Sequence, residues 1–228
     1  MGFASPWDNP MTGEPRQKKK PIVSVIDDDV SMRTSLAWLL ESAGRVVEMH
    51  SSAEDFLAVY DPEQVGCLIV DLRLPGMSGI ALLQELISRE SSLPMILLTG
   101  HGETRTAVQA LKLGAFDFIE KPFDVSLLDR VHGAVEYHEM VFQLHQKREH
   151  ERKRLDGLTY REREVMELVV EGRPNKVIAL ELGLSEKTVE VHRSRVMHKL
   201  QVHSVADLVR LDISVRGLRL EQIASYAA

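Results

Sequence analysis

Apolar and polar positions follow two different patterns along the chain. From residue 21 to residue 138, five short apolar runs bounded by turn-forming or charged residues alternate with longer segments of helical spacing. Such runs are typical of buried parallel strands, and Ser or Asp before a helical segment with Gly after it marks helix ends. The runs predict strands at residues 22–26, 46–49, 67–70, 95–98 and 116–119, with a helix after each. This order predicts an α/β fold with a doubly wound, five-stranded parallel sheet.

The pattern after residue 157 is helical throughout and predicts a small all-α domain. Its first helix begins at Thr159, with Glu162 three residues later, which is the spacing of a capping box. Asn175 is predicted to cap a second helix, and Ser185 is predicted to cap a third that follows a short glycine-containing turn. A helix, such a turn and another helix predict a helix-turn-helix unit.

Two segments lack the pattern of a packed domain. The first 20 residues are rich in Pro, Gly and polar side chains, which predicts a disordered tail in which Met11 is an alternative start to Met1. Residues 139–156 are mostly charged and predict a helical linker, with a dimer-forming helix as the alternative. The predicted organisation is a tail (1–20), an α/β domain (21–138), a linker (139–156) and a helix-turn-helix domain (157–228).

Charge is distributed unevenly between the two predicted domains. The chain has 28 Lys and Arg against 34 Asp and Glu, a formal net charge of -6. Residues 21–138 carry 8 basic and 18 acidic side chains, whereas residues 157–228 carry 11 and 10. Indiscriminate coating of nucleic acid needs a broad cationic surface and is therefore excluded as a function. Any contact with DNA has to be local.

Cysteine content and hydropathy predict a cytoplasmic protein. The one cysteine, Cys67, lies within a predicted buried strand and cannot form an internal disulfide, and no Cys/His cluster has zinc-ligand spacing. No apolar run approaches the roughly 20 residues of a membrane-spanning helix, and the first 20 residues lack the apolar stretch of a signal peptide. We therefore expect a soluble protein with no membrane partner.

Acidic side chains follow the first and third predicted strands. Asp27 and Asp28 come directly after the first strand, and Asp71 comes after the third. In a doubly wound sheet, ligands bind at the carboxyl ends of the strands where the strand order reverses, so these carboxylates are expected to meet. Like charges at such short range need a cation to stay ionised, and an oxygen-rich cleft suits Mg²⁺.

Two further polar side chains end later strands at the same edge. Thr99 follows the fourth strand and offers a hydroxyl, and Lys121 follows the fifth and offers an ammonium group. Taken singly, each is typical of a strand-end hydroxyl or a surface lysine, and a run of aspartates is typical of a polar turn. Together they have the parts needed to place and neutralise a phosphoryl group, with Asp71 as the nucleophile.

The third helix of the C-terminal domain has two distinct faces. Val189, Val196 and Leu200 recur at a spacing that predicts a buried stripe. A second face is formed by Lys187, Val191, Ser194 and His198. On charge alone this second face is equally typical of a solvated helix surface. However, an apolar Val191 on a polar face is well placed to contact a thymine methyl group, and residues 185–200 hold four Lys or Arg against two Glu.

The motifs VIDDD, VDLRLPGMSG, LLTGHG and DFIEKPF resemble the receiver domain of bacterial two-component response regulators, a flavodoxin-like fold, across residues 21–138. The resemblance implies that Asp71 accepts a phosphoryl group from the phosphohistidine of a sensor histidine kinase. It also implies that Asp28, Asp71 and the backbone carbonyl of Arg73 hold Mg²⁺, with Asp27 assisting through water.

The same resemblance implies a conformational switch. Thr99 and Lys121 would each bond a phosphoryl oxygen, and Phe118 would be the aromatic that turns inward when Thr99 moves. Phosphorylation adds a charge of roughly -1.5 to -2 and three strong acceptors. Charge-assisted hydrogen bonds contribute on the order of 1.5–3 kcal/mol each, so two or three of them supply the roughly 5.5 kcal/mol that near-complete switching requires.

The segments LTYREREVMELVVEG and LSEKTVEVHRSRVMHKL resemble the LuxR-type helix-turn-helix, over residues 157–211. The resemblance implies that the helix at residues 185–200 enters the major groove of double-stranded DNA. The side chains expected to read bases are Glu190, Val191 and Ser194, and those expected nearer phosphates are Lys187, Thr188, Arg193 and Lys199. With receiver, linker and effector in this order, the whole chain resembles the FixJ-type branch of response regulators.

Three functions are open on this sequence. The first is a phosphorylation-controlled transcriptional activator that dimerises through the receiver, binds half-sites about 10 bp apart and acts on RNA polymerase. The second keeps the DNA binding but makes the receiver a permanently dimerising platform. The third is a Mg²⁺-dependent phosphohydrolase, which is disfavoured because no second acid follows two residues after Asp71 and no insertion is present to cap a substrate.

Overall fold

The structure is a computed structural model that describes residues 20–100 and 104–216. The chain divides into two compact units between Phe142 and Gln143. Residues 1–19 of the predicted tail (1–20) and the last twelve residues of the predicted C-terminal domain lie outside the described residues.

A five-stranded parallel sheet forms the first unit. Its strands are β1 (Ile22–Ile26), β2 (Val46–His50), β3 (Gly66–Asp71), β4 (Met95–Thr99) and β5 (Asp117–Glu120). Their order in the sheet is β2-β1-β3-β4-β5, and every neighbouring pair is parallel. The predicted doubly wound sheet is therefore confirmed, and the order reverses between β1 and β3, where such folds bind ligands.

Helices cover both faces of this sheet. They are α1 (Val30–Ser42), α2 (Ala53–Val59), α3 (Gly79–Ser88), α4 (Thr104–Leu113) and α5 (Ser126–Asp156). One apolar core lies between the sheet and the helices α1 and α5, and the other between the sheet and α2, α3 and α4. Asp29, Ser52 and Ser78 cap α1, α2 and α3, because each side chain accepts a backbone N–H of the first turn.

The fifth strand begins one residue later than predicted. Phe116 precedes β5, since pairing with β4 starts at Asp117 opposite Ile96. The N–H of Phe116 bonds the carbonyl oxygen of Met95 at 2.9 Å, but its ring lies against Tyr137 of α5, with ring centroids 5.6 Å apart. The prediction included Phe116 because its aromatic side chain stands at the start of the apolar run, one residue before the first residue of β5.

Helix α5 is continuous from Ser126 to Asp156 and includes the whole segment predicted as a helical linker. Near its end, Leu155 is buried in the core of the second unit. The predicted boundaries at residues 139 and 156, and the alternative of a dimer-forming helix, stay predictions. Within residues 20–100 and 104–216 no helix, α5 included, has the length and apolar character to span a membrane.

Four helices form the second unit together with the end of α5. They are α6 (Tyr160–Val170), α7 (Asn175–Leu182), α8 (Glu186–Lys199) and α9 (Val205–Arg216). The predicted capping box is present, because Thr159 Oγ1 accepts the N–H of Glu162 at 3.3 Å and the Glu162 carboxylate accepts the N–H of Thr159 at 2.8 Å. Gly183 ends α7 with a φ of 67°, a left-handed conformation that favours glycine.

The start of α7 differs from the prediction. Pro174 occupies the N-cap and makes no side-chain capping bond, so Asn175 is the first helical residue and does not cap. Its Oδ1 instead accepts a hydrogen bond from Nη1 of Arg193 at 2.7 Å, which joins α7 to α8. The sequence pattern favours Asn175 as the cap because asparagine is a preferred capping residue. In the structure Pro174, with a φ of -68° and a ψ of 154°, has the extended backbone of an N-cap residue instead.

Candidate functional site

Three carboxylates meet where β1 and β3 end. Asp27 and Asp28 follow β1, Asp71 closes β3, and the two strands are hydrogen-bonded neighbours. One oxygen from each carboxylate lies within 4.8 Å of the others. Asp27 is only 1% exposed, whereas Asp28 is open to solvent. The juxtaposition predicted from the strand ends is therefore present.

Lys121 lies between two of these carboxylates. Its Nζ is 2.9 Å from Oδ2 of Asp27 and 2.8 Å from Oδ2 of Asp71. Burial lowers the pKa of Lys121, but the hydrogen bonds to Asp71 and Asp27 outweigh burial and hold the pKa above its ordinary value. The main chain fixes the base of the side chain, since the Lys121 N–H bonds the carbonyl oxygen of Thr99 at 2.8 Å. The peptide bond to Pro122 is cis.

Backbone groups orient the same carboxylates. The N–H of Asp29 donates to Oδ1 of Asp27 at 2.9 Å, and the N–H of Arg73 donates to Oδ1 of Asp71 at 3.1 Å. Arg33 of α1 reaches back and donates from Nη1 to the carbonyl oxygen of Asp27 at 2.5 Å. The loops after β1 and β3 are therefore held against the acidic cluster, and the main chain of Arg73 lies next to Asp71.

The donor set fits a small divalent cation. Octahedral Mg²⁺ with oxygens at 2.0–2.1 Å has its ligand oxygens roughly 3–4.2 Å apart. The three carboxylates each bring one oxygen within 4.8 Å of the others, close to that spacing. Hard carboxylate oxygens are the ligands that Mg²⁺ prefers. Three ionised carboxylates carry more negative charge than the single positive charge of Lys121 balances, so a divalent cation is electrostatically favoured here.

The predicted switch residues lie on β4 and β5. Thr99 is buried, and its Oγ1 donates to the carbonyl oxygen of Ile119 at 3.4 Å. Thr99 pairs with Glu120 in the β4–β5 register, which places its hydroxyl beside the strand that precedes Lys121. Phe118 is half-buried and packs against the core on the α2–α3–α4 side of the sheet.

Glu54 is a contributor to this region that the sequence did not reveal. Its Oε1 accepts the N–H of Met77 at 2.9 Å, which ties the first turn of α2 to the loop between Asp71 and α3. Gly76 beside it has a φ of 79°, and a Cβ there would come within 2.8 Å of the Glu54 carboxylate. In the sequence, Glu54 is indistinguishable from any acidic residue in a first helical turn.

The predicted DNA-reading face is largely open on α8. Five of its eight predicted side chains are exposed and make no hydrogen bond or ion pair with a residue of the described ranges: Lys187, Glu190, Val191, Ser194 and His198. Val191 is 44% exposed, whereas Val189 and Val196 are buried, as predicted. The helix thus presents charged, polar and apolar side chains to solvent on this face, while Val189 and Val196 on its other face lie in the core of the second unit.

The other three predicted DNA contacts are engaged within the domain. Thr188 Oγ1 and Ser185 Oγ lie 2.8 Å apart at the start of α8. Arg193 donates to Asn175, and Lys199 Nζ lies 2.7 Å from Oε2 of Glu162. Contact of these three residues with DNA phosphates stays a prediction. The sequence did not indicate the partners of Arg193 and Lys199, whereas Ser185, the partner of Thr188, is the predicted cap of α8.

Glu162 holds several parts of the C-terminal unit together. The hydrogen bond from Lys199, together with that from the Thr159 backbone, lowers the pKa of the buried Glu162 carboxyl from 4.5 to about 2. Lys199 also donates to the carbonyl oxygen of Gly157 at 3.4 Å. The end of α8 is thereby fixed to the start of α6.

Comparison with known proteins agrees with this geometry. The family model of the response regulator receiver domain matches residues 23–132, and that of the bacterial regulatory proteins of the luxR family matches residues 156–211. The chain is 45% identical over 190 residues to the transcriptional regulatory protein FixJ of Azorhizobium caulinodans, covering 83% of this chain and 90% of that protein. It is also 45% identical over 192 residues to the C4-dicarboxylate transport transcriptional regulatory protein DctR of Rhodobacter capsulatus, covering 83% and 98%.

This chain is a two-component response regulator of the LuxR/FixJ type. Its fold matches a solved structure of the response regulator StyR with a TM-score of 0.78 at 42% identity, covering 85% of this chain and 98% of that one. Full-length FixJ from B. japonicum matches with a TM-score of 0.52 at 39% identity, covering 88% and 99%. The response regulator is thus a DNA-binding transcriptional regulator, and its family is not one of enzymes.

Proposed function

We propose that a sensor histidine kinase phosphorylates Asp71 and that this modification controls sequence-specific DNA binding by α8, with activation of transcription as the output. The carrying observation is the position of Lys121, which bridges Asp27 and Asp71 at 2.9 and 2.8 Å. The Lys121 ammonium group lies next to Asp71, the carboxylate that ends β3, in a cluster with two further acids. A positive charge in this position is suited to stabilise a phosphoryl group on Asp71.

The phosphoryl transfer uses the Asp71 carboxylate as the nucleophile. A carboxylate oxygen attacks phosphorus, the O–P bond forms, and the N–P bond of the kinase phosphohistidine breaks, leaving its electron pair on the imidazole, which then takes up a proton from solvent. Asp28, Asp71 and the Arg73 carbonyl would hold Mg²⁺, with Asp27 assisting through water, and the bound ion would supply positive charge next to the phosphoryl oxygens. Lys121 neutralises a further oxygen.

Switching would follow from new acceptors at Asp71. The Thr99 hydroxyl donates one long hydrogen bond, of 3.4 Å, to the Ile119 carbonyl. A phosphoryl oxygen on Asp71 is a stronger acceptor than that carbonyl, so the hydroxyl would exchange one bond for the other. When Thr99 moves, Phe118 turns into the space behind it. The altered surface is then the face that carries Thr99, Phe118 and α4, through which the receiver dimerises.

Dimerisation would place two copies of α8 on neighbouring major grooves. Half-sites one helical turn apart, about 10 bp, match such a dimer. Glu190, Val191 and Ser194 read base edges, with Val191 against a thymine methyl and Glu190 accepting from cytosine N4. Lys187 and His198 flank them, and RNA polymerase is the partner that the bound dimer recruits.

Band-shift titration with and without acetyl phosphate tests the control by phosphorylation. Acetyl phosphate and Mg²⁺ should tighten operator binding by the wild type, and Asp71→Asn should abolish that gain while keeping the basal affinity. Equal affinity of the wild type with and without the phosphodonor would leave the receiver as a permanent dimerisation platform.

A further inference from the structure

An open groove of about 420 Å³ lies in the second unit, away from the base-reading face of α8. Its walls come from the last turns of α5, from the turn after α8 and from α9. Five charged side chains and one imidazole line it, namely Lys147, Glu151, Arg154, Asp207, Arg210 and His203. Val202 and Leu211 add apolar wall.

Arg154 is the unusual member of this set. Its Nε is buried and has no hydrogen-bond partner, and across residues 20–100 and 104–216 its guanidinium enters no hydrogen bond or ion pair. Buried polar groups are nearly always hydrogen-bonded, and an unpaired buried donor costs free energy. The Arg154 guanidinium therefore lines the groove with no acceptor among the described residues.

The acids in the groove do not supply that acceptor. The Glu151 carboxylate accepts from Ser214 Oγ at 2.5 Å and lies 4.0 Å from Nζ of Lys147. Asp207 accepts from Ser204 Oγ at 2.7 Å and from Nη1 of Arg210 at 3.0 Å.

The groove therefore carries one positive charge more than its two acids balance. Each acid already has a cation of its own, Lys147 for Glu151 and Arg210 for Asp207. Of the three cations that line the groove, Arg154 is the one that has no counterion among the described residues. A single oxyanion matches this surplus, and a planar guanidinium binds carboxylate or phosphate with two parallel N–H···O bonds.

We propose that this groove binds a small molecule carrying one carboxylate or phosphate group. Arg154 pairs with the oxyanion, a ring N–H of His203 donates a second hydrogen bond, and Val202 and Leu211 contact the apolar part of the molecule. The ligand would join the end of α5 to the turn that follows α8, giving the DNA-binding unit an input separate from Asp71. A groove of this volume is in the range of small-molecule sites.

The test uses the full chain with inorganic phosphate and benzoate as probes. Backbone amide shifts of residues 201–203, followed by two-dimensional NMR, report binding locally, so phosphate bound at the receiver does not interfere. Both probes should titrate these amides in the wild type. Arg154→Gln and Arg154→Met should weaken binding at least tenfold, because a charge-assisted pair is lost.

The matched control is Arg152→Gln, since Arg152 lies two residues away on the same helix, is exposed and pairs at 3.8 Å with Glu149. That variant should bind both probes as the wild type does. The proposal is overturned if neither probe shifts the amides of residues 201–203, or if the control loses binding as much as Arg154→Gln. It also fails if Arg154→Gln leaves probe binding unchanged but weakens operator binding, because Arg154 would then serve a DNA phosphate.

Discussion

Nζ of Lys121 lies 2.8 Å from Oδ2 of Asp71, although 50 residues separate them in the chain. Because the same nitrogen bonds Asp27, Lys121 neutralises a repulsive pair of carboxylates. Lys121→Ala should destabilise the receiver by about 1–3 kcal/mol in EDTA, since charged hydrogen bonds are lost. Mg²⁺ should restore much of that loss, so the rise in Tm on adding Mg²⁺ should be larger in the variant than in the wild type.

Thermal denaturation with MgCl₂ or EDTA measures both quantities. Lys112→Ala is the matched control, because Lys112 is an exposed lysine of α4 in the same domain. It should respond to Mg²⁺ as the wild type does. An equal rise in Tm for Lys121→Ala and the wild type would show that Lys121 and the cation do not share the carboxylates.

Glu54 is expected to position the loop after Asp71. Glu54→Ala removes the acceptor for the Met77 N–H, so amide hydrogen exchange in residues 72–78 should speed up and Mg²⁺ binding, measured by calorimetry, should weaken by about threefold to tenfold. Glu54→Gln keeps an acceptor oxygen and should behave nearly as the wild type. If the two variants were equally impaired, charge rather than the hydrogen bond would be the property that matters.

The sheet and the site it builds were predictable because their determinants are local. Each strand is a short apolar run, and Asp27, Asp71, Thr99 and Lys121 each stand at the carboxyl end of one, so parallel packing alone brings them to one edge. The buried Val189 and Val196 stripe follows in the same way from helical periodicity.

Pairings between distant side chains were not predictable. Nothing near Asn175 indicates that it will accept from Arg193, and nothing near Lys199 indicates Glu162, 37 residues earlier. Such contacts depend on the angle at which helices pack, which periodicity does not determine. For the same reason the sequence does not indicate that the Lys199 ammonium group bonds Glu162, whereas contact of Lys199 with DNA stays a prediction from its place on α8.

The Glu162–Lys199 pair predicts a pH dependence of stability. The Glu162 pKa falls from 4.5 to about 2 on folding, so the stability it provides is fully present above about pH 4.5 and is lost as the pH falls towards 2. Glu162→Gln should be less stable than the wild type at pH 7, and the difference should shrink between pH 4.5 and 2. Urea unfolding followed by circular dichroism measures it, and a pH-independent difference would contradict the assignment.

Lys187 should contribute to DNA affinity through a phosphate. Lys187→Ala should weaken operator binding and reduce the slope of log K against log salt by about 1, because one counterion fewer is released. Arg161→Ala is the control, since Arg161 is exposed on α6 and pairs at 2.9 Å with Glu164. A slope that is unchanged in Lys187→Ala would place this residue away from the backbone of DNA.

The most direct test is the location of the phosphoryl group itself. Intact-mass and peptide mass spectrometry, after incubation of the full chain with acetyl phosphate and Mg²⁺, should find one phosphoryl group on the peptide that contains Asp71. Asp71→Asn should carry none, and EDTA should suppress the modification in the wild type. Phosphate on another residue, or an unmodified chain under conditions in which the wild type is folded, would contradict the proposal that Asp71 is the phosphoacceptor.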